Sequence, residues 1–185
     1  MTPLPDDLRP LVVRLRAGDR AAFEALFRGL HGDLVRYARS ITPDGAEDAV
    51  QDAFLRVWRR RDTLDPERSI KALLYTAVRN KLFNRARDAS RRRDLHETMD
   101  APPSPAQPDA GLDAALLGEH LRGWLADLPE RQREAFRLSR FEGLSYAETA
   151  EVMACSVKTV ENHIGRALRT LRDQIQRVAP EALSL

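Results

Sequence analysis

The chain has 185 residues, 43% apolar and 31% charged, with a formal net charge of +2. That length suits one large or two small domains, and a single cysteine, Cys155, excludes an internal disulfide and fits a reducing compartment. No apolar run approaches the roughly 20 residues of a membrane span, and the opening MTPLPDDLRP lacks the basic start and apolar core of a secretory signal, so a soluble, intracellular protein is expected. Glycine is sparse, β-branched alternation is absent and Leu, Ala, Arg and Glu dominate, which predicts an all-α fold.

Leu8 to Ala17 reads as a short amphipathic helix stopped by Gly18. Asp19 caps the next, which keeps an apolar face (Ala22, Phe23, Leu26, Phe27, Leu30, Leu34, Ala38) through about Ile41. Thr42-Pro43 is a start signal, a capping residue followed by proline at the first helical position, and predicts a helix from Pro43 to about Arg61. Ala46, Ala49, Val50, Ala53, Phe54, Val57 and Trp58 form its core side, while Asp48, Gln51, Asp52, Leu55 and Arg59 share the opposite side. Helix geometry alone leaves two readings of that second face, a protein-docking patch or, more commonly, a solvated surface with one stray leucine.

Asp62 to Arg68 is turn-rich, and Ser69 is placed to cap a long helix reaching about Arg93, with Ile70, Leu73, Leu74, Ala77, Val78 and Leu82 inward. From Lys71 to Arg93 there are eight basic residues and one acid, Asp88, so this stretch carries +7. Asn80, Asn84, Arg87 and Arg91 recur at successive turns. Cations beside amides and the rings of Tyr75 and Phe83 suit nucleic acid, with phosphates for the cations, base edges for the amides and stacking for the rings. For Tyr75 and Phe83 individually, core packing is at least as strong a reading as base stacking. Asp94 to Gly111, with PPSPAQPDAG, is too poor in hydrophobes to form a core and reads as a flexible linker. It divides a domain at 9–93 from one at 112–178.

Leu112 to Asp127 is a predicted helix with Leu116, Leu117, Leu121, Trp124 and Leu125 inward. Pro129 opens another that ends at Gly143 and packs through Leu128, Ala135, Phe136, Leu138 and Phe141. Then comes LSYAETAEVMACSVKTVENHIGRALRTL, two helices around a short turn, Ala154-Cys155-Ser156. Ser145 and Glu148 have capping-box spacing, and Ala147, Ala150, Val152 and Met153 form the inner side. Ser156 is placed to cap the second helix, whose stripe is Val157, Val160, Ile164, Leu168, Leu171 and Ile175. Lys158, Glu161, Asn162, His163, Arg166 and Arg169 lie outside that stripe. This is the pattern of a helix-turn-helix whose second helix enters the DNA major groove; an ordinary solvated helix face is the alternative. Fraying is expected after Ile175.

Nothing in the chain supports enzymatic chemistry, so no catalytic residue, cofactor or metal is assigned. His31, His96, His120 and His163 are scattered without a cluster at metal-ligand spacing, and neither a glycine-rich phosphate loop nor a nucleophile elbow occurs.

Taken together, AGDRAAFEALF near the start, EDAVQDAFLRVW (Glu47–Trp58) and the stretch Leu128–Arg172 make the chain resemble an extracytoplasmic-function (ECF) sigma factor of the sigma-70 family. The resemblance runs from about residue 9 to 176, the linker excepted. It implies a region 2 helical bundle and a region 4 helix-turn-helix domain that direct promoter-specific initiation by RNA polymerase. Core polymerase would dock through its largest-subunit clamp helices on Asp48, Gln51, Asp52 and Leu55, with a second contact at the β flap. The −10 element would be read and opened by the Asp62–Arg68 loop and the following helix, through Arg79, Asn80, Lys81, Asn84, Arg87 and Arg91. Because that helix is poor in aromatics, weak intrinsic melting is expected. The −35 element would meet Lys158, Thr159, Glu161, Asn162, His163 and Arg166. Many relatives have arginine where Glu161 stands; an acid there points to cytosine N4, or to orienting Asn162 or Arg166. The family also implies an anti-sigma partner, no direct membrane insertion, and a cytoplasmic, nucleoid-associated location.

Two rival readings are a stand-alone transcription regulator and a helical adaptor acting through the Leu55 face. The first needs a receiver or ligand domain, and residues 9–93 show no βαβ pattern. The second leaves the basic run and the recognition helix unexplained.

Overall fold

The computed structural model describes residues 7–93, 121 and 123–178. All regular structure among these residues is helical. The chain separates into two compact units, Met1–Pro105 and Ala106–Leu185. The expected linker, the helix over residues 112–120 with Leu116 and Leu117, and His96 and His120 lie outside the described residues.

The first unit comprises α1 (Arg9–Arg16), α2 (Arg20–Ile41), α3 (Ala46–Arg59), a 3-10 turn at Arg61–Thr63 and α4 (Ile70–Arg93). Local chemistry sets most boundaries. The Asp19 carboxylate accepts from the Ala21 and Ala22 amides at 2.8 and 3.3 Å and opens α2. Ser69 Oγ accepts from Ala72 N at 3.1 Å and opens α4. The start of α3 differs from expectation. Thr42 ends α2 in extended backbone, Pro43 lies in a turn, and the helix begins at Ala46 after Gly45, whose φ is +72°. The positive φ at Gly45 is what calls for glycine; the nearby Arg85 guanidinium is the free end of an exposed side chain and can move aside. The far end of this helix also falls short of expectation, closing at Arg59 before the 3-10 turn.

The core of this unit runs between the helices. Leu11, Val12 and Leu15 of α1 are buried, as are Leu26, Leu30, Leu34 and Tyr37 of α2. Val50, Phe54 and Val57 of α3 are buried with Leu74, Tyr75, Val78 and Leu82 of α4. Each such large side chain contributes about 1.5–3 kcal/mol on removal from water. Tyr75 packs edge-on to Tyr37 at 5.1 Å between centroids, so of its two readings the structure selects core packing. Ala46, Ala49 and Ala53 keep the inner side of α3 small, which permits close helix approach. Phe23, Phe27, Phe54 and Trp58 form a half-open aromatic cluster where α2 meets α3. Leu73, expected inward, instead faces solvent at 41% exposure.

In the second unit a helical segment at 123–126 leads through Leu128 to α5 (Glu130–Arg140), α6 (Tyr146–Met153) and α7 (Val157–Val178). Trp124, Leu128, Phe136, Ala167 and Leu171 form a buried cluster, with Leu121, Leu125 and Ile175 packed against it. Gly143, at φ +65°, turns the chain between α5 and α6. The same turn is held by the Arg137–Glu142 ion pair at 3.7 Å, its Glu142 side chain fully buried. Phe141 is mostly exposed although its ring still meets Phe136 edge-on, and Ala147 points outward because α6 packs through Thr149, Ala150, Val152 and Met153. The α7 stripe is also shifted: Val157 and Leu168 are exposed while Ala167 is buried in the cluster with Trp124, Leu128 and Phe136. The helix continues three residues beyond Ile175, to Val178.

Candidate functional site

Three surfaces carry the sequence-predicted residues. The first is the outer face of α3. Asp48, Gln51, Asp52 and Leu55 are all exposed, Leu55 at 46%, and lie on one side of one helix. The four are brought together because Ala49, Val50, Ala53 and Phe54 turn the other side into the core.

The second surface is α4, which lies antiparallel beside α3. Lys81 Nζ is 2.6 Å from Asp52 Oδ2, and an Arg85 guanidinium nitrogen is 3.7 Å from Asp48 Oδ2. Moving one turn forward on α3 moves one turn back on α4, the register of antiparallel neighbours. The acids of the first surface therefore meet the cations of the second along a shared edge. The Lys81 hydrogen bond, with the charge behind it, holds the Asp52 carboxyl below the usual aspartate range. Asn80, Asn84 and Arg87 are exposed on the outward side of α4, and Arg87 donates to Asn84 Oδ1 at 3.3 Å. Arg91 lies on the same helix, with its side chain outside the described ones. Arg79 differs from the rest of its set. It is only 7% exposed, and its guanidinium lies over the Phe83 ring, 4.4 Å from the centroid. It is therefore positioned to hold Phe83 rather than to project toward a ligand.

The third surface is the start of α7. The box expected at α6 is complete: Glu148 N donates to Ser145 Oγ at 3.2 Å, and Ser145 N donates to Glu148 Oε2 at 2.8 Å. Ala154 adopts the left-handed region at φ 51° and makes the turn, with Cys155 half-buried beside it. Ser156 then caps α7, accepting from the Thr159 amide at 3.1 Å and sharing a hydrogen bond with its hydroxyl at 2.8 Å. Burial of Val160, Ile164 and Ala167 directs Lys158, Glu161, Asn162 and Arg166 outward. Lys158 Nζ pairs with Glu161 Oε2 at 3.0 Å, one turn apart. His163 is half-buried with Nδ1 shielded from solvent, so it borders this surface more than it presents it.

The sequence reading missed Arg85 and the pairing of α3 with α4. No local spacing announces contacts between residues so far apart in the chain. Among the described residues, no group of His, Cys, Asp and Glu is arranged to hold a metal ion, and no helix is long and apolar enough to cross a membrane.

Comparison with known proteins matches both halves. Residues 26–92 fit the model for sigma-70 region 2, and residues 121–171 fit that for sigma-70 region 4. The ECF RNA polymerase sigma factor SigL of Mycobacterium tuberculosis is 32% identical over 171 residues, spanning 86% of this chain and 94% of that one. The RNA polymerase sigma factor CnrH of Cupriavidus metallidurans is 31% identical over 175 residues, spanning 88% and 92%. The solved structure of CnrH in complex with the cytosolic domain of CnrY superposes with a TM-score of 0.63 at 29% identity, covering 94% of this chain and all of that one.

Proposed function

The chain belongs to the sigma-70 family as an ECF RNA polymerase sigma factor directing transcription initiation, and from that premise we propose how its surfaces divide the work. The outer face of α3 (Asp48, Gln51, Asp52, Leu55) docks on the clamp helices of core polymerase. The stripe of α4 (Asn80, Asn84, Arg87 and Arg91, with Lys81 at its edge and Arg79 supporting it through Phe83) takes the opened −10 strand. The start of α7 (Lys158, Thr159, Glu161, Asn162 and Arg166, with His163 beside them) reads the −35 duplex. Residues 9–93 and 112–178 serve as the two promoter-reading domains and 94–111 as their connector, with the β flap holding the second domain.

The observation that carries this reading is the adjacency, on one antiparallel helix pair, of an acidic face with a leucine and a stripe of amides and cations. A strand held on α4 therefore lies directly beside a protein held on α3. Extruding a base costs a few kcal/mol, and stacking with edge contacts returns roughly 1–3 kcal/mol per base. Capture next to the polymerase lets docking energy fix the geometry in which those contacts form. Synthesis chemistry belongs to the polymerase; this chain acts by binding, in the compartment where the polymerase works. An anti-sigma factor is a third partner in this reading, in keeping with CnrH having been solved with part of CnrY.

Co-purification with core polymerase tests the assignment. The wild-type chain is expected to join core, and Asp48→Arg with Gln51→Arg to abolish association while leaving the helical circular-dichroism signal and melting temperature unchanged. A wild-type chain that never joins core refutes the docking role; a double variant that still joins refutes the α3 face.

A further inference from the structure

Glycine in a helix interior is destabilising, and its usual reason for being there is a neighbour that must come close. Gly165 lies inside α7 and is exposed. A β-carbon there would meet no atom within 4 Å among the described residues, so packing within them does not require its absence. With 100° per residue, Lys158, Glu161, Asn162, Leu168 and Arg169 all lie within about 60° of Gly165 around the helix axis. The buried Val160, Ile164, Ala167 and Leu171 lie about 100° or more away. Gly165 is therefore a gap in the middle of the outward surface, among long polar side chains. Leu168, nearly one turn on, is 38% exposed. Side chains on a helix lean toward its N-terminus, so Leu168 borders the gap, while the Lys158–Glu161 pair, at 3.0 Å, lies on its other side.

We propose that the gap at Gly165, walled by Leu168, receives the methyl group of one thymine in the −35 element and so selects an A·T pair at that position. The proposal rests on the duplex-reading role given to α7 above. The gap is apolar. Its floor is the Gly165 α-carbon, whose amide is committed to the hydrogen-bond ladder of the helix, and its wall is a leucine. A phosphate finds no donor there. In the major groove the apolar group that base edges present is the thymine methyl. Charge selects duplex DNA as the occupant, because Lys158 and Arg169 flank the gap along the helix and attract phosphates. Glu161 and Asn162 then address the polar edges of neighbouring bases. A side chain at position 165 would hold the helix away from those edges. The glycine thus gives up helix stability for closeness to DNA, a trade in which stability and function move in opposite directions.

Holoenzymes carrying Gly165→Leu, Arg166→Ala or the control Gly32→Ala test this. Gly32 lies inside α2, is equally open and belongs to none of the three surfaces. Each holoenzyme is titrated with a duplex spanning both elements of a promoter mapped with the wild-type chain. Parallel duplexes carry deoxyuridine, which lacks only the methyl, in place of each −35 thymine in turn. Wild type is expected to lose about fourfold in affinity at one such position, the transfer of a single methyl group. Gly165→Leu should weaken binding about tenfold, as for a lost base contact, and abolish the difference between thymine and deoxyuridine. Its core association should be unchanged, and its Tm should rise by about 2–6 °C, as should that of Gly32→Ala, which binds DNA like wild type. Deoxyuridine equivalent to thymine throughout the element, or Gly165→Leu binding like wild type, overturns the proposal. Arg166→Ala separates the two readings: if it binds weakly, the −35 role of α7 stands without the notch, and if it binds like wild type, that role falls too. A Gly165→Leu chain that melts below wild type would also overturn the proposal, by showing that packing requires the glycine.

Discussion

Asp52 sits where two surfaces meet. Its carboxylate is paired with Lys81 at 2.6 Å, and the carboxyl is held below the ordinary aspartate value by that hydrogen bond first and by the lysine charge second. A depressed carboxylate favours the folded arrangement at pH above its unfolded value, and that contribution is lost as pH falls through the folded value. The pair should therefore be indifferent to pH between 5 and 8 and should loosen only below about 4, the unperturbed range. Carboxyl-carbon NMR checks it: Asp52 is expected to titrate below about 3.9, and Lys81→Ala should move its midpoint up toward that value. A midpoint insensitive to Lys81→Ala would mean the pair does not persist in solution. Because both partners are solvated and screened, such a pair exchanges readily. In the proposed division of labour, a cation of the docking protein at Asp52 and a phosphate at Lys81 would replace it without a large barrier.

At the scale of elements, the helix-turn-helix depends on ends more than on middles. α6 has only eight residues, too few to hold a helix by propensity alone. Its start is secured by the reciprocal Ser145–Glu148 bonds, and its exit by Ala154 in the left-handed region. Packing of Ala150, Val152 and Met153 against the unit then fixes where α7 begins. Ser145→Ala is expected to destabilise the start of α6 by about 1 kcal/mol. Amide hydrogen exchange reads this directly, because the Glu148 N–H loses its acceptor. Unchanged protection at Glu148 would show that tertiary packing alone holds the turn. At the preceding turn the buried Glu142 carboxylate faces the Arg137 guanidinium at 3.7 Å, a charge contact longer than a hydrogen bond that offsets part of the cost of burying it.

Across the molecule, charge is distributed more unevenly than the net value of +2 suggests. The stretch Lys71–Arg93 alone carries +7, and acids gather on the neighbouring face of α3. The proposed promoter readers lie in separate compact units, so their base preferences should be separable. Glu161→Arg combined with Arg166→Ala is expected to change preference within the −35 element, each lost bidentate contact relaxing discrimination by roughly 1–3 kcal/mol, and to leave −10 preference as it was. Promoter profiling of the variant holoenzyme measures both elements at once. A profile unaltered at −35 would remove these residues from the recognition set, and one altered at −10 would show that the two readers are coupled.

Features that depend on near neighbours in the chain are legible in the order of residues. The caps at Asp19, Ser69, Ser145 and Ser156 were all legible, because a capping hydrogen bond joins residues two or three apart and demands particular side chains. The helical class, the helix-turn-helix and the family were legible for the same reason, since periodicity and motif spacing are local patterns. Features that depend on which face meets which emerge only once the helices pack. Leu73, Val157 and Leu168 fit the apolar periodicity yet face solvent, because the neighbouring helices pack against Ala72, Val160 and Ala167 instead. Arg79 reads as a surface cation and is buried, because the aliphatic stem and planar guanidinium of arginine can cover an aromatic ring. The helix α3 starts later than Thr42-Pro43 suggests because Gly45, at φ +72°, carries the chain through a left-handed turn before the helix can begin. The adjacency of acids and cations along α3 and α4 was wholly tertiary, since antiparallel packing, and no sequence spacing, brings Asp48 to Arg85 and Asp52 to Lys81.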